Sequence, residues 1–558
     1  MEVTCDSIYN DWYSTVRNHY EGDVIVPPEV EYEGKVYQVT AIGSRCFENS
    51  PHLKSVTLPS TIKKWYGERD VIVMNEENRW FAKCPELKLV ILQEGTTSLP
   101  LQCFANCKTL ESVSLPSTLT TLSAQTFSGC QSLKSISLPA SLTELPNRCF
   151  QNCVSLESVD FAEASSLTTI RFGCFENCSS LLSISIPSSV TAIEQNCFVN
   201  CSSLQSILLP DALQSIGEHC FECCSNLQSI NLPSSLKILS HYLFNQAGIT
   251  SIHIPSSVQY IGVYCFLDCS NLETVDMPYS VQTVDYGAFK GCRSITTVKL
   301  SDQLTEIPHS CFAGCVSLQS IEFPSSLTKI GPFWLSEAGA EMANLVLPES
   351  VSTLDDYCFS ESAVRSVVIP SSITVIPHHC FSNAKIETIS LPHSIFKMGY
   401  NCFYNSQLRS ILIPSSVESI SAESFNGCSN LSSVTIPAAV LAIDRKAFQN
   451  CTSLTSVTCL GATPPLPMYE WWDPDIFTNN PSGHTLYVPE EAIDSYKSVK
   501  LWSDFNILPL SQSGIKQTES YIYEKESWHT LDGQRISQPT KRGVYIHNGR
   551  KEIIGQQR

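Results

Sequence analysis

The sequence predicts an α/β solenoid, a right-handed superhelix of stacked coils with a parallel β-sheet on its concave face and short helical or 3₁₀ segments on its convex face. The main observation is a repeat in which an aromatic residue follows an Ile or Leu by five positions, as Phe127 follows Leu122. This landmark occurs nineteen times, with Leu335 as one substitute, and sixteen of the eighteen spacings lie between 22 and 25 residues. A period of this length is typical of an array whose coils bury their apolar sides against each other.

The second observation is a strand pattern that precedes a proline in each period. In "LESVSLP", residues 110–116, the apolar Val113 and Leu115 alternate with Ser112 and Ser114. Alternation with a period of two predicts a short strand with one face inward. Because proline has no N–H group to give to the ladder, the strand is expected to end there.

The rest of the period returns the chain to the next strand. The segment "STLTTL" directs Leu119 and Leu122 into the core from a turn, and "QTFSGC" places Phe127 and Cys130 three positions apart. Residues at i and i+3 share one face of a helical or 3₁₀ turn. We therefore expect a short helical segment on the side of the coil opposite the sheet.

These residues resemble the BspA-type leucine-rich repeats of bacterial and protozoan surface proteins. The family consensus, L-x-x-I-x-L-P-x-S-L-x-x-I followed by a Phe-containing segment, is matched by "LPSSLTKI" and "IPSSVESI". The resemblance covers residues 36–489, about nineteen coils, and Cys often stands where the family tends to have Ala before the Phe. It implies the solenoid fold and binding to host matrix proteins or to other microbes.

The segments that flank the array predict further parts of the molecule. The expected parts are residues 1–35, an N-terminal strand or cap; 36–489, the leucine-rich-repeat solenoid; 490–510, a C-terminal cap; 511–520, a polar linker; and 521–558, a small β module. The cap segment is amphipathic through Ala492, Tyr496, Trp502 and Phe505. A solenoid needs its open end covered, which is the role we expect for this segment.

The tail alternates short strands with turns at Asp532-Gly533 and Asn548-Gly549, and both dipeptides are strong hairpin signals. It resembles the C-terminal modules of secreted Bacteroidetes proteins that carry type IX sorting tails. This resemblance implies a location outside the cell or on its outer surface, although an ordinary small β cap is the alternative. The first twenty residues lack the basic and apolar regions of a secretory signal, so an export signal is absent from this chain and a cytoplasmic location is the second hypothesis.

Twenty-three of the 26 cysteines fall into two columns of the repeat. Eleven directly precede the landmark: Cys46, Cys103, Cys149, Cys174, Cys197, Cys220, Cys265, Cys311, Cys358, Cys380 and Cys402. Twelve follow it by three residues: Cys84, Cys107, Cys130, Cys153, Cys178, Cys201, Cys224, Cys269, Cys292, Cys315, Cys428 and Cys451. Where Cys is missing, small residues such as Ala288 and Ser406 replace it, which favours stacks of buried thiols. Disulfides between successive coils and a zinc site are the alternatives, but in-register Cβ vectors run parallel and tetrahedral ligands must converge.

Composition argues against several classes of function. The net charge is −19 and charged residues make up only 16% of the chain, without the Lys/Arg stripe that a nucleic acid demands. No apolar run of about 18 residues predicts a membrane span. We find no P-loop, zinc-protease or serine-hydrolase motif, so we expect no enzyme activity, no cofactor and no metal.

Candidate partner-binding residues lie at two kinds of position. Each strand presents two outward side chains, mostly Ser or Thr, and six residues depart from that background: Leu208, His253, Lys299, Val346, Val368 and Leu412. Two insertions, residues 63–80 and 464–475, carry the aromatic candidates Trp65, Tyr66, Trp80, Tyr469, Trp471 and Trp472. Such insertions are often binding loops, and Trp and Tyr are enriched at interfaces, although the same rings could seal irregular coils.

The sequence therefore favours a recognition or adhesion protein that binds protein ligands through the concave sheet and the aromatic insertions. The expected partners are host matrix proteins or other microbial surface proteins, with a glycan as the alternative ligand, and the chain is expected to be a monomer. A structural repeat array without a dedicated ligand is the competing hypothesis.

Overall fold

The computed structural model describes residues 2–3, 20–43, 46–47, 50–65, 80–81, 84–162, 165–342, 344–468 and 475–513, and four strands between 528 and 554. Backbone contacts divide the chain into two compact units, Met1–Leu272 and Glu273–Arg558. Within each unit the chain winds into stacked coils joined by parallel strands, as the repeat predicts. The predicted solenoid is therefore confirmed.

Most coils contribute one strand to a set of parallel pairings that we call the principal ladder, and the coils at Asn231 and His253 contribute only an isolated bridge. In the first unit its strands are Glu21–Ile25, His52–Leu58, Leu89–Leu92, Ser112–Ser114, Ser135–Leu138, Ser158–Phe161, Ser183–Ser185 and Ser206–Leu208. In the second unit they are Thr274–Asp276, Thr297–Lys299, Ser320–Glu322, Leu345–Val346, Ser366–Val368, Thr388–Ser390, Ser410–Leu412, Ser433–Ile436, Ser456–Cys459, Thr485–Val488 and Asn506–Pro509. Pairing is parallel and in register, so Ser135 lies opposite Ser158 and Ile136 opposite Val159.

A second parallel ladder, the short ladder, runs through the segment that the sequence analysis read as a turn. Its strands in the first unit are Glu2–Val3, Ala41–Ile42, Lys64–Trp65, Ser98–Leu99, Thr121–Leu122, Glu144–Leu145, Thr169–Ile170, Ala192–Ile193, Ser215–Ile216, Ile238–Leu239 and Tyr260–Ile261. In the second unit they are Thr283–Val284, Glu306–Ile307, Lys329–Ile330, Thr353–Leu354, Val375–Ile376, Lys397–Met398, Ser419–Ile420, Ala442–Ile443 and Leu466–Pro467. Two residues per coil are too few for a period of two to be visible in the sequence.

The third side of the coil, the turn face, carries the landmark Phe. The helical segments predicted there are not confirmed, because the chain around Phe104 is a run of turns in which Gln102 and Asn106 have φ of 56° and 60°. Left-handed residues interrupt i→i+4 hydrogen bonding. Instead, the N–H groups of Phe104 and Asn106 donate to the carbonyl oxygens of Thr126 (2.8 Å) and Ser128 (2.7 Å) in the next coil.

The core of each unit is a column of landmark phenylalanines. Rings of successive coils stack with centroids 5.4 Å apart at Phe127–Phe150 and at Phe403–Phe425, and both pairs are within 6° of parallel. The rings are buried. Where Leu335 replaces the ring, the neighbouring Trp334 is buried and packs edge-on against Phe359.

The cysteine columns line this core, and their predicted burial is confirmed: twenty-four of the twenty-five described cysteines are buried. The second column has a geometric role that small size alone does not explain. The Sγ–H of Cys201 donates to the carbonyl oxygen of Phe175 (3.2 Å), and Cys153 and Phe127 repeat this bond (3.1 Å). Eleven such bonds from a thiol to the landmark carbonyl of the preceding coil run along the chain.

The ends of the chain depart from the repeat. An antiparallel hairpin of Glu29–Tyr32 and Lys35–Gln38 lies beside the first coils. The described helices are the 3₁₀ helices Glu490–Ala492 and Leu510–Gln512 and the α-helix Ile493–Lys497. The last strands, Trp528–His529, Arg535–Ile536, Gly543–His547 and Arg550–Ile554, form one antiparallel sheet.

Side chains of the segment 490–510 cover the end of the phenylalanine column. Trp502 is buried, lies 5.5 Å from Phe477 between ring centroids, and its indole N–H donates to the carbonyl oxygen of Pro465 (2.9 Å). Tyr496 is also buried and donates to the carbonyl oxygen of Gly461 (2.9 Å). In the described part of the chain, no helix is long and apolar enough to cross a membrane.

Candidate binding surface

The outward side of the principal ladder consists of two rows of side chains, because strands pair in register and side chains alternate. The first row, which we call the constant row, is mostly hydroxyls. Its register partners that are not hydroxyls include Leu89 beside Ser112 and Asn344 beside Ser366. The hydroxyl positions are Ser112, Ser135, Ser158, Ser183 and Ser206 in the first unit and Thr274, Thr297, Ser320, Ser366, Thr388 and Ser410 in the second. The second row lies two residues further along each strand. We call it the variable row because its chemistry changes from coil to coil.

All six sheet residues that the sequence singled out lie in the variable row. In the first unit Leu208 pairs with Ser185, and His253 forms an isolated bridge with Asn231. In the second unit the row reads Asp276, Lys299, Glu322, then Val346, Val368, Ser390, then Leu412. The shared register places these departures from the Ser/Thr background at equivalent positions of their strands.

The variable row of the second unit begins with a charged segment. The ammonium of Lys299 lies 3.8 Å from a carboxylate oxygen of Asp276, and Glu322 is its register partner on the other side. These side chains are exposed, and exposed ion pairs contribute only about 0–1 kcal/mol to stability. Their arrangement therefore matters more for the electrostatic pattern that a partner meets than for the fold.

An apolar segment follows in the same unit. Val346 and Val368 are adjacent and half-buried, while the side chain of Leu412 is 54% exposed. Single exposed leucines are ordinary, but apolar side chains in one row of an otherwise hydroxyl-covered sheet form a patch. The row thus contains a charged segment and an apolar segment, and it continues through Thr435 and Thr458 to Tyr487.

The variable row of the first unit borders a cleft of about 760 Å³. Its lining includes Asp160 and Leu208 from the row, Phe161 at the end of a strand, and Asp211 after the next proline. The side chain of Leu208 is 63% exposed. A volume in this range accommodates part of a ligand, and the mixture of apolar walls with two carboxylates is typical of a binding site.

Comparison with known proteins agrees with this geometry. The BspA type leucine rich repeat region matches residues 35–68, 77–204, 150–273, 237–364 and 352–463, with six copies of the model. The chain belongs to this family. No curated protein matches it.

Several solved structures are similar to this chain, and one of them reaches a TM-score of 0.50. A leucine-rich repeat protein from Bacteroides ovatus is 21% identical with a TM-score of 0.50, and the match covers 75% of this chain and 87% of that one. A leucine rich cell surface protein from Faecalibacterium prausnitzii is 25% identical with a TM-score of 0.36, covering 63% and 89%. The pneumococcal vaccine antigen PcpA is 17% identical with a TM-score of 0.32, covering 88% and 89%.

Two aromatic candidates of this BspA-type chain are unavailable to a partner. Trp65 and Trp80 are buried, and their rings pack edge to face with centroids 5.7 Å apart. The indole N–H of Trp65 donates to the carbonyl oxygen of Ser98 (3.1 Å). Their proposed role in binding is corrected: these rings seal the irregular coil, because a large apolar ring beside the core loses more exposed area by folding inward.

The remaining aromatic candidates, Tyr66, Tyr469, Trp471 and Trp472, lie outside the described residues. The sequence analysis also missed an aromatic groove on the turn face of the second unit, lined by Phe333, Tyr357, His379 and Tyr404. The sequence contains a signal for this aromatic groove. Rings stand one or two residues before the Cys column in consecutive periods, as in "PFWL", "DYCF" and "HHCF", where other BspA-type coils of this chain carry Gln or Asn.

The buried thiols of the BspA-type coils have low nucleophilic reactivity. Burial raises the pKa of Cys153 to about 12 and that of Cys428 to about 11. A thiolate is the nucleophilic form, so these groups are protonated and inert at neutral pH. Among the described residues, no three His, Cys, Asp or Glu side chains are arranged to hold a metal ion.

Proposed function

We propose that this protein is a non-enzymatic recognition protein that binds protein ligands along the variable row of its principal ladder. The single observation that supports this most is the contrast between the two rows. The constant row keeps a small hydroxyl in most coils, with Leu89 and Asn344 among the exceptions, while the variable row of the second unit, two residues away, changes from Asp and Lys to Val and Leu. A fold requirement would act on both rows alike.

The proposed contact surface of the second unit extends from Asp276 to Leu412. The charged segment at Lys299 orients a partner, and the apolar segment at Val346 and Val368 supplies the area that loses water on binding. Each coil adds a small contribution, so affinity is expected to grow with the number of coils engaged. We also propose Trp471 and Trp472 of the second insertion as partner-binding residues; they lie outside the described residues.

We also propose that the chain acts at the cell surface, bound to host matrix proteins or to other microbial surface proteins. The support is membership of the BspA-type family together with the resemblance of the segment 521–558 to sorting tails. A glycan ligand is less favoured on the sheet, because its rows offer hydroxyls and small apolar groups rather than the exposed rings on which sugars stack. A structural array without a dedicated ligand is the alternative.

The test uses the full chain and purified fibronectin, fibrinogen, laminin and collagen, measured by biolayer interferometry. We expect at least one of these proteins to bind, and the triple variant Val346→Ser, Val368→Ser, Leu412→Ser to weaken that binding about tenfold or more, since three apolar contacts are lost. The matched control changes three neighbours in the constant row, Ser366→Ala, Thr388→Ala and Ser410→Ala, and should bind as the parent does. Equal losses in both variants, or no binding by the parent, would favour the structural array.

A further inference from the structure

A column of partly exposed rings runs along the turn face of the second unit. Ring centroids are 4.7 Å apart for Tyr286–His309, 5.4 Å for His309–Phe333, 5.1 Å for Phe333–Tyr357 and 4.5 Å for Tyr357–His379. This column is separate from the buried phenylalanine column, and none of its members belongs to the hydrophobic core. The separations above 5 Å, on either side of Phe333, mean that these rings are offset, so part of their faces stays uncovered.

Three of these rings occupy backbone positions that favour other residues. Phe333, Tyr357 and His379 have φ of 51°, 62° and 55°. Asn is the side chain that tolerates this left-handed region best after Gly, and the same position holds Asn196 and Asn401 in other coils. Bulky rings placed at a strained position outside the core point to a role other than folding.

The rings form one wall of a groove of about 360 Å³, which we call the turn-face groove. Phe333, Tyr357 and His379 line it together with Tyr404, Glu361 and Glu423. The opening is large enough for one side chain of a ligand, and its walls alternate between aromatic rings and carboxylates. It lies on a different side of the coil from the variable row.

Beside the hydroxyls of Ser360 and Ser382, the groove has three acceptors suited to a cationic group. Glu361 and Glu423 are carboxylates, and the amide oxygen of Asn401, buried in the same lining, has no hydrogen-bond partner among the described residues. None of the described residues that line the groove is a lysine or an arginine. Burial, reinforced by the neighbouring His378, lowers the pKa of His379, so that ring adds no positive charge at neutral pH.

We propose that the turn-face groove binds an arginine side chain of a polypeptide. A guanidinium is planar, donates five hydrogen bonds and accepts none, so it complements two carboxylates and an unpaired amide oxygen. It also stacks on part of an aromatic face, and the net charge of −19 attracts a cationic segment. A sugar fits less well, because a hexose ring stacks on a whole exposed aromatic face and gains nothing from the negative charge of the two carboxylates.

The experiment titrates the full chain with a capped hexapeptide of alternating arginine and glycine, using calorimetry. The probes for comparison are the same peptide with citrulline, which keeps the shape and removes the charge, and the neutral oligosaccharide maltohexaose. We expect the arginine peptide alone to bind. Maltohexaose binding in place of the peptide would overturn the proposal in favour of a glycan site.

Two variants separate the groove from general attraction to an acidic protein. Phe333→Asn with Tyr357→Asn should weaken peptide binding about tenfold without lowering the thermal midpoint, because Asn suits the left-handed backbone. Glu361→Gln with Glu423→Gln should weaken it similarly, whereas the control Glu273→Gln with Glu418→Gln, which removes the same charge from exposed sites elsewhere in the unit, should not. Equal losses for both glutamine pairs, or asparagine variants that bind normally, would refute the site.

This test is independent of the proposed function. The triple serine variant of the variable row keeps the turn-face groove intact and should bind the arginine peptide as the parent does. Failure of the matrix-protein assay therefore leaves the groove result unaffected, and failure of the peptide assay leaves the variable row unaffected.

Discussion

At the scale of single residues, the cysteines show how a repeated side chain acquires a specific role. The second-column thiol fills a small space and also donates to the landmark carbonyl of the preceding coil, as Cys201 does to Phe175. That carbonyl already accepts the N–H of Cys178, so the thiol uses its second lone pair. A Cys at this position thus links two coils without any disulfide.

We predict that Cys201→Ala lowers the free energy of unfolding by about 1–2 kcal/mol, because it removes one buried hydrogen bond and leaves a small cavity. Cys223→Ala is the control, since that thiol is half-buried and outside both columns, and it should change stability by less than about 0.5 kcal/mol. Urea denaturation followed by circular dichroism measures both. Equal midpoints for the two variants would show that the thiol bond contributes nothing.

At the scale of elements, each coil has three sides and all three are joined to the next coil by backbone hydrogen bonds. The principal and short ladders pair as parallel strands, and the turn face pairs through alternate left-handed residues. Such a coil has few bonds within itself, so its stability depends on neighbours. The open end of the array is consequently the place where a single side chain matters most.

We predict that Trp502→Ala destabilises the end of the second unit locally, by about 3–5 kcal/mol, because it uncovers Phe477 and leaves a large cavity. Hydrogen exchange measured by mass spectrometry should show faster exchange in residues 442–509 and unchanged exchange in the first unit. The control is Phe396→Ala, whose ring is 55% exposed and should have little effect. Unchanged exchange near Phe477 after Trp502→Ala would contradict a capping role.

At the scale of the whole molecule, the buried thiols make stability depend on pH. Their folded pKa values lie above that of a free thiol because burial disfavours the thiolate. In the unfolded chain these groups ionise from about pH 8.5 upward, so the folded state then holds more protons than the unfolded state. Stability is therefore full below that pH and falls as the pH rises toward the folded values near 11 and 12.

We predict cooperative alkaline unfolding that begins between about pH 9 and 10. Above the pKa of a thiol in the unfolded chain, each thiol that stays protonated in the folded state lowers the free energy of unfolding by about 1.4 kcal/mol per pH unit. Thiolate absorbance near 240 nm and circular dichroism, recorded in parallel under reducing conditions, measure it. The two signals should change together. Gradual appearance of thiolate around pH 9 with an intact dichroism signal would show that the thiols are accessible in the folded protein.

The sequence by itself determined the period, the strand before each proline, the burial of the phenylalanine and cysteine columns and the family. These follow from the spacing of apolar residues, which is visible within one coil and is repeated along the array. The contacts between coils depend on the tertiary structure. The short ladder and the turn-face bonds join residues about 23 positions apart and leave no local pattern, as with Phe104 and Thr126.

The candidate surfaces divide in the same way. Departures such as Lys299 and Val368 are visible in the sequence, but their common row depends on the register between coils. Trp65 and a ring such as Tyr357 look equally available in the sequence, yet the first is buried and the second stands at the turn face. Which side of a coil a ring occupies is set by backbone geometry and by its neighbours in adjacent coils, and one period of sequence contains neither.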